Sequence, residues 1–527
     1  MWNIRTPHTA RRARGLTLVE MLMATALSLI MFAAVAQIFG MMGGAMRDAR
    51  AKIELSGNLR SVANHLQTDL NNLTVDVLPW VQPGSNQGYF EIIEGPDRDV
   101  DFASYDVIST NTGHNGSMSG DADDILCFTA YSKDEPFIGL IQGHLVANTT
   151  SNVPHAYWID ISNPDEYTVI TSQYAEIVYF TKLTPSDDRN LEDWSNLGTR
   201  DANETVTLYR RVFLIRPDIY FGNPNSTAAG YSYNQDASGN PLNEDRIRNN
   251  YDLSMYCTPA TNNTWKTNSL EDLQDRKRRV CHSYAVASSS SPLYPFPNPI
   301  LPTQLRSFEQ LYNDIGSFNI RDRTGEDVIL TKTLAFDVKV FDPGAVVRQE
   351  ASGTIAGQPG DLYYPTSGDT AVYESYTAAT AMTGAFVDLN WTASSRYSSV
   401  PGSPLFSGTP AASSGLNSDQ YSPFTQSPSM ALPLGAAPTG NLYRSYYDTW
   451  PLLYESDGND QDKDGVVDEG TNGFDDNNNG IVDDVGEYET SPPYPAPLRG
   501  ISVTVRAIEE GTRQVRQDTI MADFLPK

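Results

Sequence analysis

The chain has 527 residues, room for several domains at roughly 100–200 residues each. Lys and Arg number 37 against 65 Asp and Glu, and a net charge of −28 argues against a nucleic-acid backbone or an anionic lipid surface as main partner. Three cysteines exclude a disulfide-dense scaffold, while 33 Pro and 38 Gly beside 39% hydrophobic residues describe a globular chain with large looped insertions.

The first fifteen residues carry Arg5, Arg11, Arg12 and Arg14, no acid, and end on Gly15. Residues 16 to 42 then hold a single charge, Glu20, and Met21 to Met42 hold none. At about 1.5 Å per residue that uncharged run spans roughly 33 Å, the thickness of a bilayer's hydrocarbon, and so predicts a membrane-spanning helix. A secretory signal peptide would have a shorter apolar region followed by a small-residue cleavage site, whereas here the small residue comes first. Arg47, Arg50, Lys52 and Arg60 on the far side leave the charge count alone indecisive for orientation. A lone carboxylate inside such a segment needs a cation.

The order Arg14-Gly15-Leu16-Thr17-Leu18-Val19-Glu20 resembles the processing site of type IV pilins and pseudopilins, with Leu16 where that family most often has Phe. The resemblance implies that a prepilin peptidase cuts after Gly15 and methylates the new amine of Leu16. It also implies that Glu20 meets the amine of a neighbouring subunit during assembly. The implied partners are other pilin-like subunits, the prepilin peptidase and the membrane, the last through residues 16 to 42. The implied place is a bacterial cytoplasmic membrane, with the leader inside and the body outside.

Beyond the membrane the apolar pattern becomes one-sided. Leu55, Leu59, Val62, Leu66, Leu70, Leu73 and Val77 recur at helical spacing, predicting an amphipathic helix over residues 45 to 78 that Pro79 ends. Gly40, Gly43, Gly44 and Gly57 mark a bend, a melted joint or helix-packing positions. Runs of β-branched and aromatic residues then predict strands at 125 to 131, 156 to 161, 176 to 181 and 205 to 215. Residues 334 to 340 and 501 to 507 alternate with period two, as half-buried antiparallel strands do. The expected fold is α+β, a long amino-terminal helix packed on an antiparallel sheet.

The runs Asp124-Ile125-Leu126-Cys127-Phe128, Ile177-Val178-Tyr179-Phe180 and Leu208-Tyr209-Arg210-Arg211 are similar to the body of J-type minor pseudopilins of type II secretion. The chain then divides into a leader (1–15), an assembly helix (16–44), an amphipathic helix (45–78) and a pilin-like body (79–216). An insertion (217–327), a body strand (328–343), a low-complexity insertion (344–455), an acidic segment (456–489) and final body strands (490–527) complete it. Cys257 and Cys281 lie in the first insertion, open between a disulfide and two reduced thiols, and Cys127 reads as an inert core thiol.

The acidic segment has twelve acids and one base, Lys463. Asp460, Asp462, Asp464 and Asp468 place oxygens at positions 1, 3, 5 and 9 around Gly465, and Asp475, Asn477, Asn479 and Asp483 repeat them fifteen residues on. Such alternation converges oxygens on a hard cation of Ca²⁺ size, and it resembles the aspartate-rich calcium repeats of thrombospondin type 3 modules and dockerins. It departs from an EF-hand because position 12 is Thr471 in one copy and Gly486 in the other. A solvated acidic linker is the alternative.

The sequence offers no catalytic residues. The six His include no pair at zinc-ligand spacing on one helix, and there is neither a Gly-x-Ser-x-Gly nor a Walker-type loop. The expectation is therefore a structural subunit, a minor pseudopilin or minor pilin. An adhesin-like or substrate-binding head at a pilus tip is the alternative.

Overall fold

A computed structural model describes residues 17–94, 120–122, 124–147, 157–160, 166–183, 205–221, 251–258, 264–282, 327–349, 355–357, 382–389, 445–458, 465–488, 497–509, 511–512 and 514–524. The elements in chain order begin with α1 (Leu18–Asn71), β1 (Phe90–Glu94), β2 (Ile125–Tyr131), β3 (Phe137–Gln142), β4 (His144–Ala147), β5 (Tyr157–Asp160) and β6 (Tyr167–Ser172). There follow β7 (Tyr174–Leu183), β8 (Val206–Leu214), β9 (Ile219–Phe221), β10 (Met255–Thr258), β11 (Thr264–Thr267), β12 (Val328–Gln349) and β13 (Ile355–Gly357). The last are β14 (Met382–Val387), β15 (Ser445–Asp448), β16 (Gly500–Glu509) and β17 (Gln514–Asp523). The architecture is α+β, one long amino-terminal helix and a large antiparallel sheet.

The chain divides into two compact units. The first contains α1 as far as Gly57, with Glu509–Gln514. Here the helix runs unbroken through Gly40, Gly43, Gly44 and Gly57, with open space where each Cβ would stand, so no melted joint interrupts it. Its apolar side chains point outward all round, Leu27 being 65% and Phe32 69% exposed. By length and composition this helix can cross a membrane.

The second unit holds the sheet, in the order β15-β1-β2-β7-β8-β12-β16-β17, with β13 and β14 also paired to β12. Its registers define two faces, because residues directly opposed across an antiparallel pair share a side. One row runs Tyr447, Ile92, Leu126, Tyr179, Arg210. This face meets the last turns of α1. Buried Asp69 accepts from the Tyr179 hydroxyl at 2.5 Å and from the Arg210 guanidinium at 2.6 and 2.9 Å. Burial opposes the Arg210 charge, and Asp69 more than offsets it, holding the guanidinium above its ordinary value. The stacked rings of Phe90, Phe128, Tyr179 and Phe336 continue the same layer.

Two expectations change. The helix ends at Asn71, well before Pro79, because residues 72 to 74 are captured by β2. Tyr131 donates to the Asn72 carbonyl at 2.8 Å, and Thr74 donates to that of Thr129 at 3.1 Å. The backbone thus leaves the helix for a strand edge that satisfies it. Residues 334 to 338, moreover, are buried on both faces, whereas in the 501 to 507 run Thr504 and Arg506 stay partly exposed as expected. Glu176 and Arg211 are nearly inaccessible as well, because Ser254, Val280, Asp252 and Asp327 of the first insertion reach them.

Candidate functional site

The second face carries the row Asp448, Glu91, Cys127, Val178, Arg211. Three of these five side chains are charged, and all five are buried. Leu273, Val280 and Cys281, from the segment Thr264–His282, pack onto this face with Tyr89, Ile125, Phe180 and Phe213. Two short 3₁₀ turns, Asp272–Gln274 and Arg276–Arg278, shape that segment. Arg276 donates to Asp448 at 2.8 and 3.0 Å, and Arg279 reaches Asp448 at 2.7 Å and Glu91 at 3.4 Å. His282 Nε2 sits 2.8 Å from Glu91. Further hydrogen bonds from Arg279 to the carbonyls of Leu273 and Gln274, and its position 4.2 Å over the Tyr89 ring, fix that guanidinium's plane.

Two guanidiniums thus face two carboxylates in a fully buried layer. Burial raises the Glu91 carboxyl, yet His282, Arg279 and Arg276 together bring it down to about 2. Asp448 moves the other way, because its burial, with Glu91 beside it, outweighs the two arginines. Elsewhere on this face Arg211 pairs with Asp252 and Asp327, each at 2.8 Å. Glu176 accepts from Tyr89, Ser254 and the Val280 amide. These charges bind the insertion to the sheet. The sequence signal for them was the basic run Arg276-Lys277-Arg278-Arg279 in a strongly acidic chain.

Two free cysteines meet on this face. Cys281 Sγ lies 2.7 Å from Cys127 Sγ, both fully buried, because the covering segment delivers Cys281 onto β2. Cys257 contributes its backbone to β10.

At the amino terminus, Gly15 and Leu16 lie outside the described residues. Thr17 and Glu20 form a reciprocal cap. The Glu20 carboxylate accepts from the Thr17 amide at 2.9 Å and its hydroxyl at 3.1 Å, while the Thr17 hydroxyl accepts from the Glu20 amide at 3.3 Å. Glu20 therefore sits at the positive end of the helix.

In the acidic segment Asp460, Asp462 and Asp464 lie outside the described residues. The fifteen-residue repeat reappears as geometry. Gly458 donates to Asp468 and Gly473 to Asp483 at 2.8–3.1 Å, and both aspartates adopt φ 55. Gly465 and Gly480 hold positive φ at corresponding turns. In the second copy Asp475 accepts from the amides of Asn479 and Gly480, and Asn477 from that of Asn479. Asp483 turns to Gly473, and Asp484 instead meets the side chains of Asn477 and Asn479. The Asn479 side chain and the Gly486 amide hold the Asp484 carboxyl below the usual range. Buried Glu487 closes the loop with both oxygens, on the amides of Asn477 and Asp484. Asp484 and Glu487 stand off positions 1, 3, 5 and 9, so that spacing does not mark them.

Another acidic group lies outside the predicted segment. Glu94, Asp121 and Asp388 are buried with oxygens within 4.8 Å of one another, and Lys339 is 3.6 Å from Asp388. A groove of about 300 Å³ is lined by His65, Arg210, Arg211, Asp252 and Asp327, and its arginines are engaged by acids. Neither presents a nucleophile beside a base. Comparison with protein families, with curated proteins and with solved structures finds no match to this chain.

Proposed function

We propose that the chain is a structural subunit, a minor pseudopilin or minor pilin of a type II secretion or type IV pilus-like filament, with a pilin-like fold. A prepilin peptidase cuts after Gly15, Leu16 becomes the methylated amino terminus, and residues 16 to 42 lie in the bacterial cytoplasmic membrane with the body outside. The observation that carries this reading is the helix from Leu18 whose apolar side chains are exposed on every side, capped by the segment's one acid. Such a surface calls for lipid or for other apolar helices. The chain acts by packing. Glu20 awaits a cation, and a neighbouring subunit's Leu16 amine supplies it where screening is weak.

Calcium belongs to the same proposal. The donors are all oxygens, as a hard cation requires, and each carboxylate oxygen that accepts an amide keeps another lone pair. Asp475, Asn477, Asn479 and Asp484 would hold the ion in the second copy, with Asp460, Asp462, Asp464 and Asp468 in the first. The bound ion would neutralise the mutual repulsion of the acids.

The test is cross-linking in membranes that contain the peptidase and other pilin-like subunits. Glu20→Ala should insert and be processed, yet lose at least half of its cross-links to those subunits. Undiminished cross-linking would reduce Glu20 to a helix cap.

A further inference from the structure

We propose that Cys127 and Cys281 form a disulfide that fastens the segment Thr264–His282 to the middle of the main sheet. Their sulfurs lie 2.7 Å apart although 154 positions separate them in the chain. The approach is fixed from both sides. Cys127 stands in β2 between Glu91 and Val178 of the cross-strand row. Cys281 follows Arg279 and precedes His282, and those two side chains are locked on Glu91 and Asp448. A slip of the segment by one residue would break those contacts, so the same packing that satisfies the charges holds the sulfurs together.

The chemistry balances through thiol–disulfide exchange. Each cysteine loses its S–H hydrogen as a proton, one S–S bond forms, and two electrons pass to an oxidant of the disulfide class, which leaves as two thiols. Burial pushes the Cys127 thiol up, so the thiolate needed for attack is scarce once the sheet has closed. The bond therefore forms while the chain folds and is shielded from reductants afterwards. The inference rests on the body lying outside the cytoplasm, where disulfides persist. A bond across so long a loop restricts the unfolded chain strongly.

The test uses the full chain made by cell-free synthesis into detergent micelles, with oxidised or reduced glutathione, beside the full chain taken from membranes. Each sample is alkylated in denaturant and mapped by mass spectrometry. With oxidised glutathione, neither Cys127 nor Cys281 should be alkylated, Cys257 alone carrying the alkyl group or a glutathione cap, and a linked peptide pair should contain Cys127 and Cys281. Reduction should raise the count of alkylated cysteines to three, and Cys257→Ala should leave the linked pair intact. Cys127 and Cys281 alkylated or capped after oxidised synthesis, or a link from Cys257 to Cys281, would overturn the pairing. A link after oxidised synthesis with three alkylated cysteines in the membrane sample would support the pairing and count against the extracytoplasmic placement.

Discussion

Beneath the segment Thr264–His282, Glu91 and Asp448 are fully buried and meet Arg276 and Arg279 of their own chain. In the loop Gly465–Tyr488, Asp468, Asp475 and Asp483 remain partly in water and direct their oxygens to backbone amides. The contrast shows how a chain of charge −28 divides its acids. Where the fold supplies a guanidinium, a carboxylate can be interior and needs nothing from outside. Where the neighbours are amides, the acids fold the loop through backbone hydrogen bonds and stay partly in water. Glu20 is a third situation, a single acid at the head of an apolar helix.

The interior group is the place to break this contrast most severely. Arg279→Ala leaves two buried carboxylates with one guanidinium fewer, and removing one partner of a buried pair costs about 3–5 kcal/mol. Urea unfolding should register that loss; a change below about 1 kcal/mol would place these charges with ordinary surface pairs.

Acid should separate the regions next. The Glu91 carboxyl lies at about 2 in the folded chain against 4.5 unfolded. Its contribution is complete above pH 4.5 and is lost as pH falls through about 2. Glu91→Gln should therefore flatten the fall in stability across that window, and an unaltered slope would assign the acid sensitivity to other carboxylates.

Calcium should act on the exposed region alone. A hundredfold excess over the dissociation constant should add about 2.7 kcal/mol of apparent stability, and Asp475→Ala with Asp484→Ala should remove the second-copy share. Equal thermal midpoints in calcium and chelator would leave an acidic linker whose amide hydrogen bonds suffice.

The elements that follow from local pattern were legible in the sequence. Ile125 to Tyr131 matches β2 residue for residue, and the stripe Leu55, Leu59, Val62, Leu66, Leu70 is buried as its spacing requires. The period of fifteen in the acidic segment was equally visible. What escaped depends on partners far along the chain. Asp69 meets Arg210 across 141 positions and Glu91 meets His282 across 191, so neither pair leaves a local trace. The second covered face went unread for that reason, since Glu176, Asp337 and Arg211 look like solvent-facing residues until their partners are known. The early helix end at Asn71 was hidden too, because the competitor for that backbone is the edge of β2.

The measurement that bears most directly on the proposed function is the mass of the amino-terminal peptide of the membrane-inserted chain, prepared with and without an active prepilin peptidase. With the peptidase the peptide should begin at Leu16 and carry one methyl group on its amine, the cation proposed for Glu20. A peptide that still begins at Met1 beside the active peptidase would contradict it.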